Sequence, residues 1–100
     1  MHMSDLCDEI ARMGKGLGNP SRYRILEALM HGSKTVTEIV KAVKLTQPNV
    51  SQNLKVMKEA EIVTSERHGQ EIYYSINVQY MASLLRKLAL GVEKTKKMHV

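Results

Sequence analysis

From Ile62 onward the apolar residues of this chain change period, and that change limits the fold more than any other feature. Upstream the spacing is helical. Val36, Ile39, Val40 and Val43 share one face, and Val50, Leu54 and Met57 share another, in steps of three and four residues. Downstream, Ile62–Arg67 and Glu71–Ile76 are rich in β-branched and aromatic residues. They flank His68-Gly69-Gln70, so the spacing predicts a β-hairpin. Two short helices joined by a tight turn form a helix-turn-helix. A hairpin directly after them predicts a winged helix-turn-helix.

Start and stop signals extend this frame in both directions. Thr35-x-x-Glu38 is a capping box. Thr46 caps the next helix, with Pro48 tolerated in its first turn. Asn19-Pro20 opens an earlier helix, whose apolar face carries Tyr23, Ile25, Leu26, Leu29 and Met30 and which Gly32 ends. A first helix starts at Ser4, ahead of Asp5, Asp8 and Glu9. It bears Leu6, Ile10, Met13 and Leu17 before Gly14, Gly16 and Gly18 break it. Asn77 caps a last helix with the stripe Tyr80, Met81, Leu84, Leu85, Leu88 and Val92, and Lys94, Lys96 and Lys97 sit at its negative pole. The expected fold is mainly α with a β-hairpin wing, in the order α-α-α-α-β-β-α. A 100-residue chain buries one modest core, so residues 1–100 are expected to form a single domain.

Composition narrows the function classes. Apolar runs are four residues or fewer, far below the ~20 needed to span a bilayer, so no membrane partner is expected. One cysteine, Cys7, permits no internal disulfide, and no secretory leader pattern is present, which points to the cytoplasm. The net charge is +5, and the excess lies in the second half of the chain. Such a balance favours an anionic partner. With no Phe or Trp and four Tyr, stacking on single-stranded bases is disfavoured. No nucleophile elbow, phosphate loop, metal pair or Ser/His/Asp set is evident, so no enzyme is expected.

Three segments resemble the ArsR/SmtB family of bacterial transcriptional repressors. Leu17–Leu26 is similar to the family's opening helix, Ser51–Ala60 to its recognition helix, and Ile62–Arg67 with Gly69 and Tyr73-Tyr74-Ser75 to its wing. The likeness covers about residues 10–92 in unbroken order. Two positions depart from the family pattern: Asn53 stands where His is common, and Glu61 where Gly is common. Glu61 in the left-handed geometry that glycine would adopt costs about 1 kcal/mol. The resemblance implies a repressor that dimerises through its first and last helices. A winged helix that docks a protein instead of DNA is the alternative.

With Val50, Leu54 and Met57 inward, Gln52, Lys55 and Ser51 point out, and Gln47, Asn49 and Asn53 flank them. Outward residues in the first two turns of such a helix reach base edges in the major groove of double-stranded DNA. Gln47, Asn49, Gln52 and Asn53 supply four amides with no arginine among them, a set suited to adenine N6 and N7. The contacted bases are therefore expected to be mostly A·T. Thr46 and Ser51 suit phosphate, as does Lys55. Arg67, His68 and Gln70 form the wing tip, where Arg67 suits a narrow minor groove. One reading helix per chain requires a homodimer on a near-palindrome. Leu6, Ile10, Met13, Tyr80, Met81, Leu84, Leu85 and Leu88 are the candidate interface.

The resemblance also raises a metal sensor, since many members of that family respond to metals. Soft-metal sites need two or three thiolates, and Cys7 is alone. The zinc-type site of relatives needs Asp and His where this chain has Asn77-Val78-Gln79, with only Glu93 and His99 beyond. His2 and Cys7 near one end and His99 at the other could meet only across a dimer. No metal and no cofactor are expected, and the sequence names no inducer.

Overall fold

The structure, a computed structural model, describes the backbone of residues 3–98 and the side-chain environments of residues 6–91. Its elements are α1 (Met3–Leu17), α2 (Pro20–Leu29), α3 (Val36–Val43), α4 (Gln47–Glu59), β1 (Val63–His68), β2 (Glu71–Ile76) and α5 (Val78–Met98). The order is the expected α-α-α-α-β-β-α of a winged helix-turn-helix. None of the described helices is long and apolar enough to cross a membrane.

The helix starts follow the caps. Asn19 Oδ1 accepts from Ser21 N at 2.8 Å, with Pro20 opening α2. At α3 the capping box is complete. Thr35 Oγ1 accepts from Glu38 N at 3.2 Å, and Glu38 Oε1 accepts from Thr35 N at 2.9 Å. That backbone bond holds the Glu38 carboxyl below the ordinary carboxylate range. Thr46 Oγ1 accepts from Asn49 N at 3.3 Å at the start of α4, and Asn77 Oδ1 accepts from Tyr80 N at 3.4 Å in α5. The side chains of Ser4 and Asp5, expected to start α1, lie outside the described residues.

α4 ends in a Schellman motif built without glycine. Glu61 takes φ 62°, donates its N–H to Lys58 O at 3.0 Å, and lets Ile62 N reach Met57 O at 2.9 Å. Ile62 and Met57, the accompanying apolar pair, are both fully buried. Their burial offsets the left-handed penalty at Glu61.

One boundary differs from the sequence reading. α1 runs through Gly14 and Gly16 and stops only at Leu17, where Gly18 N bonds Gly14 O at 2.8 Å. Gly16 is there for closeness rather than for a break. A Cβ on it would run into Ile62 Cδ1 and lie 3.2 Å from Ala60 Cβ. The missing side chain lets the end of α1 sit directly on the junction between α4 and β1.

The core lies among α2, α3 and α4 and the base of the wing. Ile25, Leu29, Ile39, Val50, Leu54, Met57, Ile62 and Val63 fill it, with Leu84 entering from α5 and Met13 from α1. β1 and β2 pair antiparallel from Val63↔Ile76 to His68↔Glu71, so the turn is Gly69-Gln70, with Gly69 at φ 68°. A short third rung was not foreseen. Lys34 bonds Tyr74 in both directions, N to O at 3.0 Å and O to N at 2.8 Å, and fastens β2 to the segment before α3.

α1 and α5 meet through Tyr80, whose Oη donates to Glu9 Oε2 at 2.7 Å. Burial, then that bond, pushes the Tyr80 phenol up from 10.0 to about 12. The folded state thus holds the Tyr80 proton more tightly than the unfolded chain does. The resulting stability is fully present below about pH 10 and is lost as pH rises toward 12. Denaturation midpoints measured across that range should fall in the unmodified chain. They should fall less in Tyr80→Phe. Equal slopes would show that Tyr80 titrates alike in both states.

Candidate nucleic-acid interface

α4 presents one face to solvent because its other face is anchored by Val50, Leu54 and Met57. On the outward side Gln47, Asn49, Ser51, Gln52 and Lys55 are all exposed, as is the cap residue Thr46. Thr46 Oγ1 already accepts from the helix, but its O–H proton can still be donated outward. At the wing, Arg67, His68 and Gln70 are exposed. His68 packs edge-on against Tyr73, with ring centroids 5.3 Å apart, and lies 3.7 Å from Glu66 Oε1. Tyr73 Oη in turn donates to Glu71 Oε2 at 3.1 Å, and this bond raises the phenol's pKa. Acidic Glu66 and Glu71 therefore flank the tip, leaving Arg67 as the wing cation that faces solvent without a recorded carboxylate partner among the described residues.

Asn53 needs correction. It is 9% exposed and faces inward, not onto the reading face. Its position three residues after Val50 and four before Met57 puts it on the buried side of the helix. A wheel centred on those apolar residues carries that information. The identity of its partner is not in any local pattern. Arg22, from the third position of α2, donates from Nη1 to Asn53 Oδ1 at 3.1 Å and from Nη2 to Lys15 O at 2.9 Å. Arg22 Nε is buried without a partner among the described residues. Asn53 Nδ2 donates onward to Asn49 Oδ1 at 2.7 Å and to Asn49 O at 3.0 Å. Sequence reading missed Arg22 because its partners stand 31 positions after it and seven before it. Lys58 was also missed. Its Nζ donates to Ser65 Oγ at 2.7 Å and ties α4 to β1.

The expected dimer surface divides in two. Leu84 is fully buried and Met13 nearly so, both inside the protomer's own core. Neither can present a side chain to a second chain. Leu6, Ile10, Tyr80 and Met81 are partly buried against that core, and the hydroxyl of Tyr80 is engaged within the protomer. Leu85 and Leu88 are open, at 56% and 43% exposure. Leu88 lies one turn beyond Leu84, past the edge of the core, and Val78, seven residues before Leu85, is also exposed.

Among the described residues no group of three or more His, Cys, Asp or Glu could hold a metal ion. Cys7 is exposed and free. His2 and His99, and the side chain of Glu93, lie outside the described residues.

Comparison with known proteins agrees with this geometry. Residues 19–65 match the family described as bacterial regulatory protein, arsR family. The transcriptional repressor SdpR of Bacillus subtilis is 36% identical over 63 residues, which are 63% of this chain and 70% of that protein. The HTH-type transcriptional repressor SmtB of Mycobacterium tuberculosis is 33% identical over 81 residues, 81% of this chain. The match spans 60% of SmtB, less than two thirds of its length. Among solved structures, a homodimeric winged helix-turn-helix DNA-binding domain of a possible ArsR-family regulator from Mycobacterium bovis superposes with a TM-score of 0.74 at 30% identity. The likeness covers 94% of this chain and 87% of that one.

Proposed function

The chain belongs to the arsR family of bacterial regulatory proteins, a family of transcriptional regulators and not of enzymes, and from that membership we propose that it works as a homodimeric repressor on a near-palindromic operator in double-stranded DNA. Residues 1–100 act as one winged-helix unit. α4 enters the major groove, and the wing lies along the neighbouring minor groove or backbone. The observation that carries this reading is the exposed, amide-rich first half of α4, held in place by a buried opposite face. The dimer forms through α1 and α5, with Leu85 and Leu88 at its centre. A DNA target implies the cytoplasm.

Roles divide by chemistry. Gln47 and Gln52 carry free amides for base edges, where a bidentate amide matches adenine. Ser51, Thr46 and Lys55 suit phosphate, and Arg67 suits a narrow A·T-rich minor groove. The contacted pairs facing the two glutamines are therefore mostly A·T.

Selection of bound sequences from a random duplex pool, at stated salt, tests the assignment. Gln52→Ala should cost about 1–3 kcal/mol and relax preference at one base pair per half-site. Lys55→Ala should weaken all duplexes alike and lower the salt slope by about one. An unchanged motif in Gln52→Ala, or G·C at the glutamine-facing pairs, would refute this reading face.

A further inference from the structure

We propose that Arg22 fixes the hydrogen-bond polarity of a side-chain relay, Arg22 to Asn53 to Asn49, that makes Asn49 turn its amide N–H donors toward base edges. The inference rests on the DNA-binding reading above and concerns how one reading position is set.

A guanidinium has five N–H donors and no acceptor, and it stays charged at any pH a protein survives. Arg22 Nη1 lies 3.1 Å from one terminal atom of Asn53, so that atom must be the oxygen. The guanidinium is itself anchored, because Nη2 donates to Lys15 O in the last turn of α1. With Oδ1 of Asn53 committed, its Nδ2 faces the other way. It meets Asn49 O at 3.0 Å and the Asn49 side chain at 2.7 Å. The Asn49 atom at that contact must be its oxygen, since an NH2 there would set donor against donor. Turning Asn53 over would fail at both ends at once, with NH2 against guanidinium and carbonyl against carbonyl. The relay therefore has one direction. Asn53 is 9% exposed, so water cannot readily replace its partners.

Asn49 is exposed at the third residue of α4, in the turn that enters the groove. Its Oδ1 is directed at Asn53, which leaves Nδ2 to face outward without a protein partner. A donor fits the major-groove acceptors of guanine (N7 and O6), thymine (O4) and adenine (N7). It finds no acceptor on the edge of cytosine. The two-bond contact with adenine that an unconstrained asparagine makes needs both amide atoms on the outward side, and Oδ1 is turned inward, so adenine keeps only the single bond at N7. At this position the chain should shut out cytosine, the one base with no acceptor there, whereas Gln47 and Gln52 keep the adenine preference.

The discriminating variant is Asn53→Asp. A carboxylate keeps the shape and the bond to Arg22 but has no hydrogen to give Asn49; its oxygen takes the place of Nδ2 near Asn49 O, a repulsion that the ion pair with Arg22 and a new bond from Asn49 Nδ2 offset. Asn49 must then turn over, donate Nδ2 inward and offer Oδ1 outward. Sequence selection with Asn53→Asp should invert the discrimination at the pair facing Asn49, so that cytosine, shut out before, is accepted along with adenine and the keto bases G and T are disfavoured. The glutamine-facing pairs should stay as they were. Arg22→Met should flatten the preference at that one pair. An Asn53 with only a structural role would lower affinity on every duplex and leave the motif alone, and that result overturns the relay.

A measurement without DNA reads the same network. The side-chain amide protons of Asn53 should exchange slowly in the unmodified full chain. They should exchange at least tenfold faster in Arg22→Met, with equal rates counting against the proposal. If the unmodified chain selects no motif, the DNA-binding reading fails. If it selects a motif that neither variant alters, only the relay fails.

Discussion

Leu85→Glu combined with Leu88→Glu should give a folded monomer that has lost its operator. Both leucines stand open in the single chain. Fully burying a leucine is worth about 1.5–3 kcal/mol, so covering the half that each still exposes is worth about 1 kcal/mol, and symmetry counts each of them twice. Replacing them with carboxylates removes that gain and sets like charges against one another. Because neither side chain packs in the protomer core, circular dichroism should remain that of the parent. Two reading helices held together bind far more tightly than one, by about 10²- to 10⁴-fold. Operator affinity should therefore fall at least a hundredfold, while weak, salt-sensitive binding to any duplex persists. Sedimentation should show the parent as a dimer and the double variant as a monomer. A monomeric parent at micromolar concentration would end the dimer reading.

One residue away the outcome is of another kind. Leu84 is fully buried within the protomer. Leu84→Ala should cost about 2–5 kcal/mol, set by how far the surrounding side chains collapse into the space. That is a large share of the 5–15 kcal/mol that holds a domain of this size together. Denaturant midpoints should drop with little change in slope. A midpoint within error of the parent would mean that Leu84 does not fill the core.

The contrast between Leu84 and Leu85 marks where sequence reading ran out. An apolar stripe on α5 wide enough to serve two purposes was legible, along with the helix itself and its Asn77 cap. Which leucine served which purpose depended on where the core ends, and that is a property of packing across the chain. The same holds at α4. Its caps, its buried residues and the exposure of Gln47, Ser51, Gln52 and Lys55 followed from local periodicity. Asn53 was misplaced because asparagine reads as polar and outward until a buried donor is known, and Arg22 stands on another helix. The glycines of α1 misled in the opposite sense. Gly14 and Gly16 have low helix propensity, yet the helix continues, since Gly16 is needed for contact with Ile62 and Ala60. The wing was legible almost to the residue. Its link through Lys34 was not, because a single rung leaves no alternation to detect.

That link through Lys34 makes the hairpin a cantilever. The rung at Tyr74 and the burial of Val63 clamp one end to the body. Past that rung the strands run on for three residues, about 10 Å, beside the start of α3. A tilt past the rung displaces Arg67 and Gln70, whereas the root itself, and with it α4, hardly shifts. A DNA groove of variable width can therefore be followed by the tip without disturbing the register of the helix that reads the sequence. Mechanical compliance and reading accuracy are divided between two ends of one short hairpin, and changes at Gly69-Gln70 can retune reach without touching the core.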